Sequence, residues 1–379
     1  MQAAIRRNKL AHVEFIDPAS PQIGGVESLI TDHLRLNSNV GLVGVTKVKK
    51  LESGEPTRQF PNSLESINFM SVSKIRATKR TLIPDSLKLA AGLINRRKAL
   101  QRDIAYICHR FEIGALMNIL GFRVIQFVHN ESAGLLGVKS ESRWRLFAPA
   151  FNLIRFYAAS HAEKVVAFNR SEAEDLRAHG IDAYYQQSWF DDELFFNNQR
   201  NDYESDEDVV NLLWVGRFES QKNPTFAIEV AKQLVENKSK FELTMIGAGS
   251  LLRVCENLVK EYSLEDRVHF LGAQSRNQVA DAMKYSDALL LTSHSEGSPL
   301  VLAEAGAVGL PCITTASADS DGFIHNGENG YCIQNFDPSA FAKAAIDSHK
   351  ISASKCQQMA KNRAKSTILP KLNSMLEVM

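Results

Sequence analysis

The sequence predicts an α/β protein of two domains, the second built on a doubly wound parallel sheet. Three observations carry this. At 379 residues the chain exceeds what one ordinary hydrophobic core takes up. From residue 209 onward, short apolar runs alternate with helical patterns, and each run ends in a glycine-rich or polar turn, as parallel strands joined by crossover helices require. Between the halves, residues 201–208 (NDYESDED) hold five acids in eight positions, a linker by composition.

The second half gives the elements in order. Residues 209–215 (VVNLLWV) read as a strand leading to Gly216-Arg217 and on to Lys222-Asn223-Pro224, where Asn223 caps a helix and Pro224 starts it. Strand 241–246 leads to Gly247-Ala248-Gly249-Ser250, and strand 267–271 to Gly272-Ala273-Gln274-Ser275 with a helix over 277–285. The Gly247/Gly249 pair lacks the third glycine of a dinucleotide fingerprint, so NAD binding is not read from it. Strand 287–291 (DALLL) leads to SHSEGSPLVLAEAGAVGLP, residues 293–311, with Ser298 expected as N-cap, Pro299 as first helical residue, and Gly309 and Pro311 as the stop. Glu296 then lies just before a helix N-terminus and Glu304 in its second turn. Such an N-terminus favours phosphate, and nearby carboxylates accept hydrogen bonds from sugar hydroxyls. A given glutamate has another eight residues later roughly one time in fifteen by chance, so the spacing counts only in this context. A further strand is expected at 311–315, and helix from Lys343 onward.

The first half is less regular. Residues 10–16 (LAHVEFI) read as a strand, followed by a Pro/Gly loop with Gly24 and Gly25 and a helix through Leu29, Ile30 and Leu34. That loop is either an ordinary turn or a place where backbone comes close to a ligand. Strands at 103–108 and 123–128 end in His109 and His129, at the edge where open α/β sheets bind ligands; a lone histidine there is more often structural than catalytic. Residues 144–159 read as a helix, 164–169 as a strand, and Ser171 with Glu174 as a capping box. Residues 74–102 interleave leucines with nine Lys and Arg and one acid, either a solvated face or a surface for anionic lipid.

A net charge of +1 gives no nucleic-acid signature. Five scattered cysteines without CxxC spacing suggest reduced thiols and no zinc site. There is no apolar run of eighteen residues and no signal-peptide pattern, so a cytoplasmic protein is expected, at most peripheral to the inner membrane face.

Gly216-Arg217 with Lys222, Gly247-Ala248-Gly249, Phe270-Leu271-Gly272 and Glu296-Gly297-Ser298-Pro299 through Glu304, joined to Gly24-Gly25-Val26 and His129, resemble the retaining glycosyltransferases of family 4. The resemblance covers 209–335 well and the first half loosely. It implies the GT-B architecture, two Rossmann-like domains facing across a cleft, with domains at 1–205 (acceptor) and 206–350 (nucleotide sugar), and helices at 351–379 returning to the first domain. It implies a hexose-type transfer from a UDP- or GDP-sugar to a glycan or lipid-linked acceptor. Arg217 and Lys222 would hold the diphosphate, Glu304 the ribose, and Glu296 the transferred sugar. Ser298, Pro299 and Leu300 would offer backbone to phosphate and sugar, Gly24 and Gly25 would close over the donor, and Gly249 and Gly272 would line it. His129 would stand near the reacting sugar. No DxD-like pair occupies a strand end, so no metal or other cofactor is expected. A nucleotide-sugar epimerase or phosphorylase on the same architecture, and a catalytically idle binding subunit, are the alternatives. Two stretches depart from the family: 187–191 (QSWFD) where Asn-Gly-Val-Asp is usual, and 318–323 (ADSDGF) where a turn ending in Pro-Glu is usual.

Overall fold

The computed structural model describes residues 9–18, 25–37, 39–48, 69–76, 85–129, 147–197 and 209–377. Gly24 and the linker 201–208 lie outside them. The chain divides into two compact units, Met1–His129 with Leu146–Gln186, and Asn130–Arg145 with Gln187–Met379.

The first unit is a seven-stranded parallel sheet of β1 (Leu10–Val13), β2 (Val40–Val48), β3 (Phe69–Arg76), β4 (Ala105–Cys108), β5 (Arg123–Val128), β6 (Lys164–Ala167) and β7 (Ala183–Tyr185), in the order β3-β2-β1-β4-β5-β6-β7. β1 and β4 are buried along their whole length, as strands covered by helices on both faces must be. β1 is shorter than the expected 10–16, because the Ile16 N–H turns back to the Glu14 carbonyl at 2.8 Å. Among the described residues of 47–102 stand the end of β2, all of β3, and a helix, Asp85–Arg96. The helix Arg170–Ala178 is capped by Asn169, whose side chain accepts from the Glu172 N–H at 3.0 Å, rather than by the expected Ser171 box. Ser171 instead donates to Asn169 Oδ1 at 2.7 Å.

The second unit holds β8 (Val209–Val215), β9 (Lys240–Ile246), β10 (Val268–Gly272), β11 (Ala288–Leu291), β12 (Cys312–Thr315) and β13 (Gly330–Ile333), parallel and in the order β10-β9-β8-β11-β12-β13. Trp214, Phe218, Phe226, Phe241 and Phe341 fill the core on one side of this sheet. The other side is packed by the small-residue helix Leu300–Val308 with Leu289, Leu291 and Phe323. Residues 187–197 belong to this unit, not to the first. The backbone of Phe190 joins that of the C-terminal segment, its N–H on Arg363 O and its carbonyl on the Lys365 N–H, both at 3.0 Å. The helices Ala353–Ala360 and Lys365–Glu377 are grouped in this unit as well.

In each sheet the strand order reverses once, at β1/β4 and at β8/β11. Ligands of open α/β sheets bind outside the carboxyl ends of the strands at such a point.

Candidate active site

At the second sheet's reversal, β8 leads into Gly216-Arg217-Phe218 and a 3-10 turn, Ser220–Lys222. Asn223 follows in the left-handed conformation at φ 48°, which asparagine tolerates better than most residues. The helix Pro224–Glu236 then starts on its proline, and Asn223 makes no side-chain cap. What holds this turn is Thr292, just past β11. Its hydroxyl accepts from Trp214 Nε1 at 2.9 Å and donates to the carbonyls of Lys222 and Asn223 at 2.9 and 3.0 Å. Lys222 is thereby fixed against the β11 turn.

The β11 turn is pinned from the same side. The His294 N–H donates to the Gln221 carbonyl at 2.8 Å, and Gln221 Nε2 donates to the Ser295 carbonyl at 3.1 Å. Glu296 Oε1 accepts from Lys222 Nζ and from Ser293 Oγ, each at 2.5 Å, with the Glu296 side chain 10% exposed and the Lys222 side chain 22%. Both contacts fall on one oxygen, Oε1. Arg217 is exposed and forms no ion pair with any described residue.

The helix after Glu296 begins one residue later than expected, with Pro299 as N-cap at ψ 92° and Leu300 as its first residue. Ser298 does not cap it. Its hydroxyl donates to Asp321 Oδ2 at 3.0 Å, and Ser320 Oγ donates to the Gly297 carbonyl at 2.9 Å. The Asp321 side chain is completely buried against Arg363 Nη1 at 3.2 Å. The departing stretch 318–323 is thus what ties down the loop carrying Gly297 and Ser298. Within it, Asp319 accepts the N–H groups of Phe323 and Ile324, and burial nevertheless raises its carboxyl above the usual range.

Glu304 lies in the second turn of its helix, 3.7 Å from Arg276 Nη2. Arg276 also approaches Asp191 at 3.9 Å, and Asp191 in turn binds Lys365 Nζ at 2.5 Å. Arg276 opens the helix capped by the Ser275/Gln278 box, one residue beyond the Gly272–Ser275 loop. The glycine turns extend the sheet past its strand ends: Gly216 N–H binds Ile246 O at 3.0 Å, and Gly247 N–H binds Gly272 O at 2.9 Å. A Cβ on Gly247, at φ 145°, would sit 1.8 Å from the Gly216 carbonyl, and one on Gly249 would sit 2.5 Å from the Phe218 carbonyl. Gly272, at φ 67°, has open space around it. Sequence reasoning passed over Ser293, Thr292, Arg276 and Asp321; the only local signal was the Ser-rich run at 293–298.

In the first unit, Gly25 is the first residue of the helix Gly25–Leu36. His129 follows β5, stacked on Phe168 with ring centroids 4.6 Å apart. Burial drives its imidazole down to about 3, so it is neutral near pH 7.

Residues 195–366 match the family model described as Glycosyl transferases group 1. The matched stretch falls in the second unit. Among curated proteins, this chain is 31% identical over 203 residues to N-acetyl-alpha-D-glucosaminyl L-malate synthase of Bacillus anthracis, covering 52% of each. It is 33% identical over 135 residues to UDP-Gal:alpha-D-GlcNAc-diphosphoundecaprenol alpha-1,3-galactosyltransferase of Escherichia coli, covering 35% of this chain and 34% of that protein. The match thus spans about half the length of the first relative and less of the second. Two solved structures share the fold nearly end to end. HepE of Anabaena with UDP and glucose superposes with TM-score 0.74 at 16% identity, covering 98% of this chain and all of that one. Sucrose-phosphate synthase of Thermosynechococcus elongatus gives 0.76 at 17%, covering 98% of each. The fold is that of the GT-B class, two Rossmann-like units.

Proposed function

We propose that this chain is a retaining glycosyltransferase that moves a hexose-type sugar from a nucleotide-sugar donor, a UDP- or GDP-sugar, to a glycan or lipid-linked acceptor. The observation that carries the reading is the convergence of Lys222, Ser293 and Glu296 at the reversal point of a group 1 domain. An ammonium has three donors; one lies on Glu296, and two remain for phosphate oxygens. Breaking the sugar–phosphate bond places about one unit of new negative charge on the leaving diphosphate. Lys222, Arg217 and the open N–H groups at the start of Leu300–Val308 stabilise that charge without a metal, and Glu296 Oε2 accepts from the sugar. Glu304 takes the ribose hydroxyls. The acceptor hydroxyl attacks on the face from which the diphosphate departs and passes its proton to a phosphate oxygen.

UDP in the HepE structure and the diphosphoundecaprenol-linked acceptor in the name of the Escherichia coli relative support the donor and acceptor classes. Relatives named as transferases favour transfer over epimerisation. In the basic stretch, Leu87 (59% exposed) and Ile94 (41%) stand out beside exposed Arg96, Arg97 and Lys98, and we assign this face to peripheral contact with anionic lipid on the cytosolic side. Among the described residues no helix is long and apolar enough to cross a membrane. Thermal-shift screening of nucleotide sugars identifies the donor, and NMR of the product reads its anomeric configuration. Inversion, or a rate abolished by EDTA, would overturn the mechanism; no shift with any donor would overturn the function.

A further inference from the structure

The first sheet's reversal point carries a second polar assembly, one that the transfer reading does not use. Four histidines stand there in single file. His33 Nδ1 lies 2.8 Å from His12 Nε2, His12 Nδ1 lies 2.8 Å from His109 Nε2, and His109 Nδ1 lies 2.7 Å from His129 Nε2. The rings of His12, His109 and His129 stack at 5.1 and 5.0 Å, and Phe127 meets all three edge-on. His12 and His33 are almost wholly buried. Burial, then the neighbouring imidazoles, hold His12 and His109 well below their ordinary range, so both are neutral near pH 7.

A neutral imidazole has one N–H and one bare nitrogen. Every link in the file joins an Nδ1 to an Nε2, and each link needs one proton. Only two fully bonded neutral arrangements exist: all four rings protonated on Nδ1, or all four on Nε2. In the first, His129 presents an N–H outward at Nδ1. In the second, it presents a bare nitrogen there.

We propose that the file is a proton relay that sets, and can reverse, the hydrogen-bonding sense of His129. A proton accepted at His129 Nδ1 displaces the Nε2 proton to His109 Nδ1. The His109 Nε2 proton moves to His12 Nδ1, the His12 Nε2 proton moves to His33 Nδ1, and the His33 Nε2 proton passes to a water molecule at that end of the file. One proton enters, one departs, and every ring ends neutral. His129 can therefore take a proton from a ligand without leaving an imidazolium in a buried setting. His109, His12 and His33 are positioning residues acting through it. The other ionisable groups on these elements and the turns after them include Glu14 (held by Arg110 Nε at 2.8 Å), Asp17, Glu27, Asp32, Arg35, Tyr106, Arg123 (paired with Glu163) and Cys108, whose thiol burial keeps protonated.

Long-range imidazole ¹H–¹⁵N correlation spectra of the whole chain at pH 7 test this without substrate, so the outcome is separate from that of the transfer reading. The expected result is one Nδ1–H fraction common to the four rings, moving together with temperature. Rings of opposite tautomer within the file would overturn the proposal on the wild type alone. In His12→Phe, which keeps an aromatic ring in the stack, His109 and His129 should remain matched while His33 departs from them. If His33 still follows His129 there, the relay is wrong.

Discussion

Lys222 Nζ and Glu296 Oε1 lie 2.5 Å apart, so the turn after β8 and the turn after β11 are bridged by a charge pair across the point where the strand order reverses. Each partner fixes the other's rotamer, and each keeps polar capacity for a ligand bearing both phosphate and hydroxyls. Lys222→Ala is expected to lower the transfer rate by about 10²–10³. Because the two act as a unit, the Lys222→Ala/Glu296→Gln pair should cost clearly less than the sum of the single changes. Additive losses in steady-state rates would mean that the two groups work independently.

Thr292 sits under this pair as its support. Thr292→Val keeps the shape but leaves Trp214 Nε1 buried with no acceptor and removes the donor to two carbonyls. Urea unfolding should show a loss of about 1–3 kcal/mol, with transfer reduced as well, since the Lys222 backbone is released. A stable variant of full activity would show that the turn holds itself.

Two glycines separate backbone strain from crowding. Gly180, at φ 78° with nothing within 4 Å of a Cβ, should lose about 1–2 kcal/mol on change to Ala. Gly247→Ala should lose more, because its Cβ would meet the Gly216 carbonyl at 1.8 Å and that carbonyl must move. Comparison of the unfolding transitions of the two variants reads the difference.

The buried histidines make the protein acid-sensitive in a defined window. His12, His109 and His129 all titrate below their ordinary 6.5 when folded, through burial. Between 6.5 and the lowered folded values the unfolded chain binds protons that the folded one does not, so stability falls as pH falls. Above 6.5 this contribution is flat. Each histidine adds up to about 1.4 kcal/mol per pH unit to the slope. Urea midpoints at pH 7, 6 and 5 should drop progressively, and midpoints unchanged across that range would contradict the neutral file.

Asp321 and Arg363 form a pair with side chains 0% and 4% exposed. Asp321→Asn leaves a buried guanidinium uncompensated and should cost about 3–5 kcal/mol, whereas replacing both by Leu and Met should recover most of it. Thermal unfolding of the three proteins checks the order.

Much of this was legible in the sequence where the information is local. β5 and β8 fall on the residues that their apolar runs mark, Lys222 and Glu296 stand in the turns past strand ends, and Glu304 stands in the helix that follows. β2 was not legible, because Gly41 and Gly44 break its pattern; Gly44 is needed where a Cβ would lie 2.4 Å from the Ile16 carbonyl. Ser298 looked like a helix cap because its true partner, Asp321, is 23 residues away. The histidine file could not be read at all: His12 and His109 are 97 residues apart, and only the strand order makes them neighbours.

The Arg363–Asp321–Ser298 chain of contacts has a bearing on how the molecule can be dissected. A fragment ending at Lys350 would retain the six strands of the second sheet and yet strand the Asp321 carboxylate in the interior with its counterion removed. An ordered Gly297–Ser298 turn therefore belongs to the complete unit through Arg363, and a shortened piece would be a well-paired scaffold with an unruly mouth.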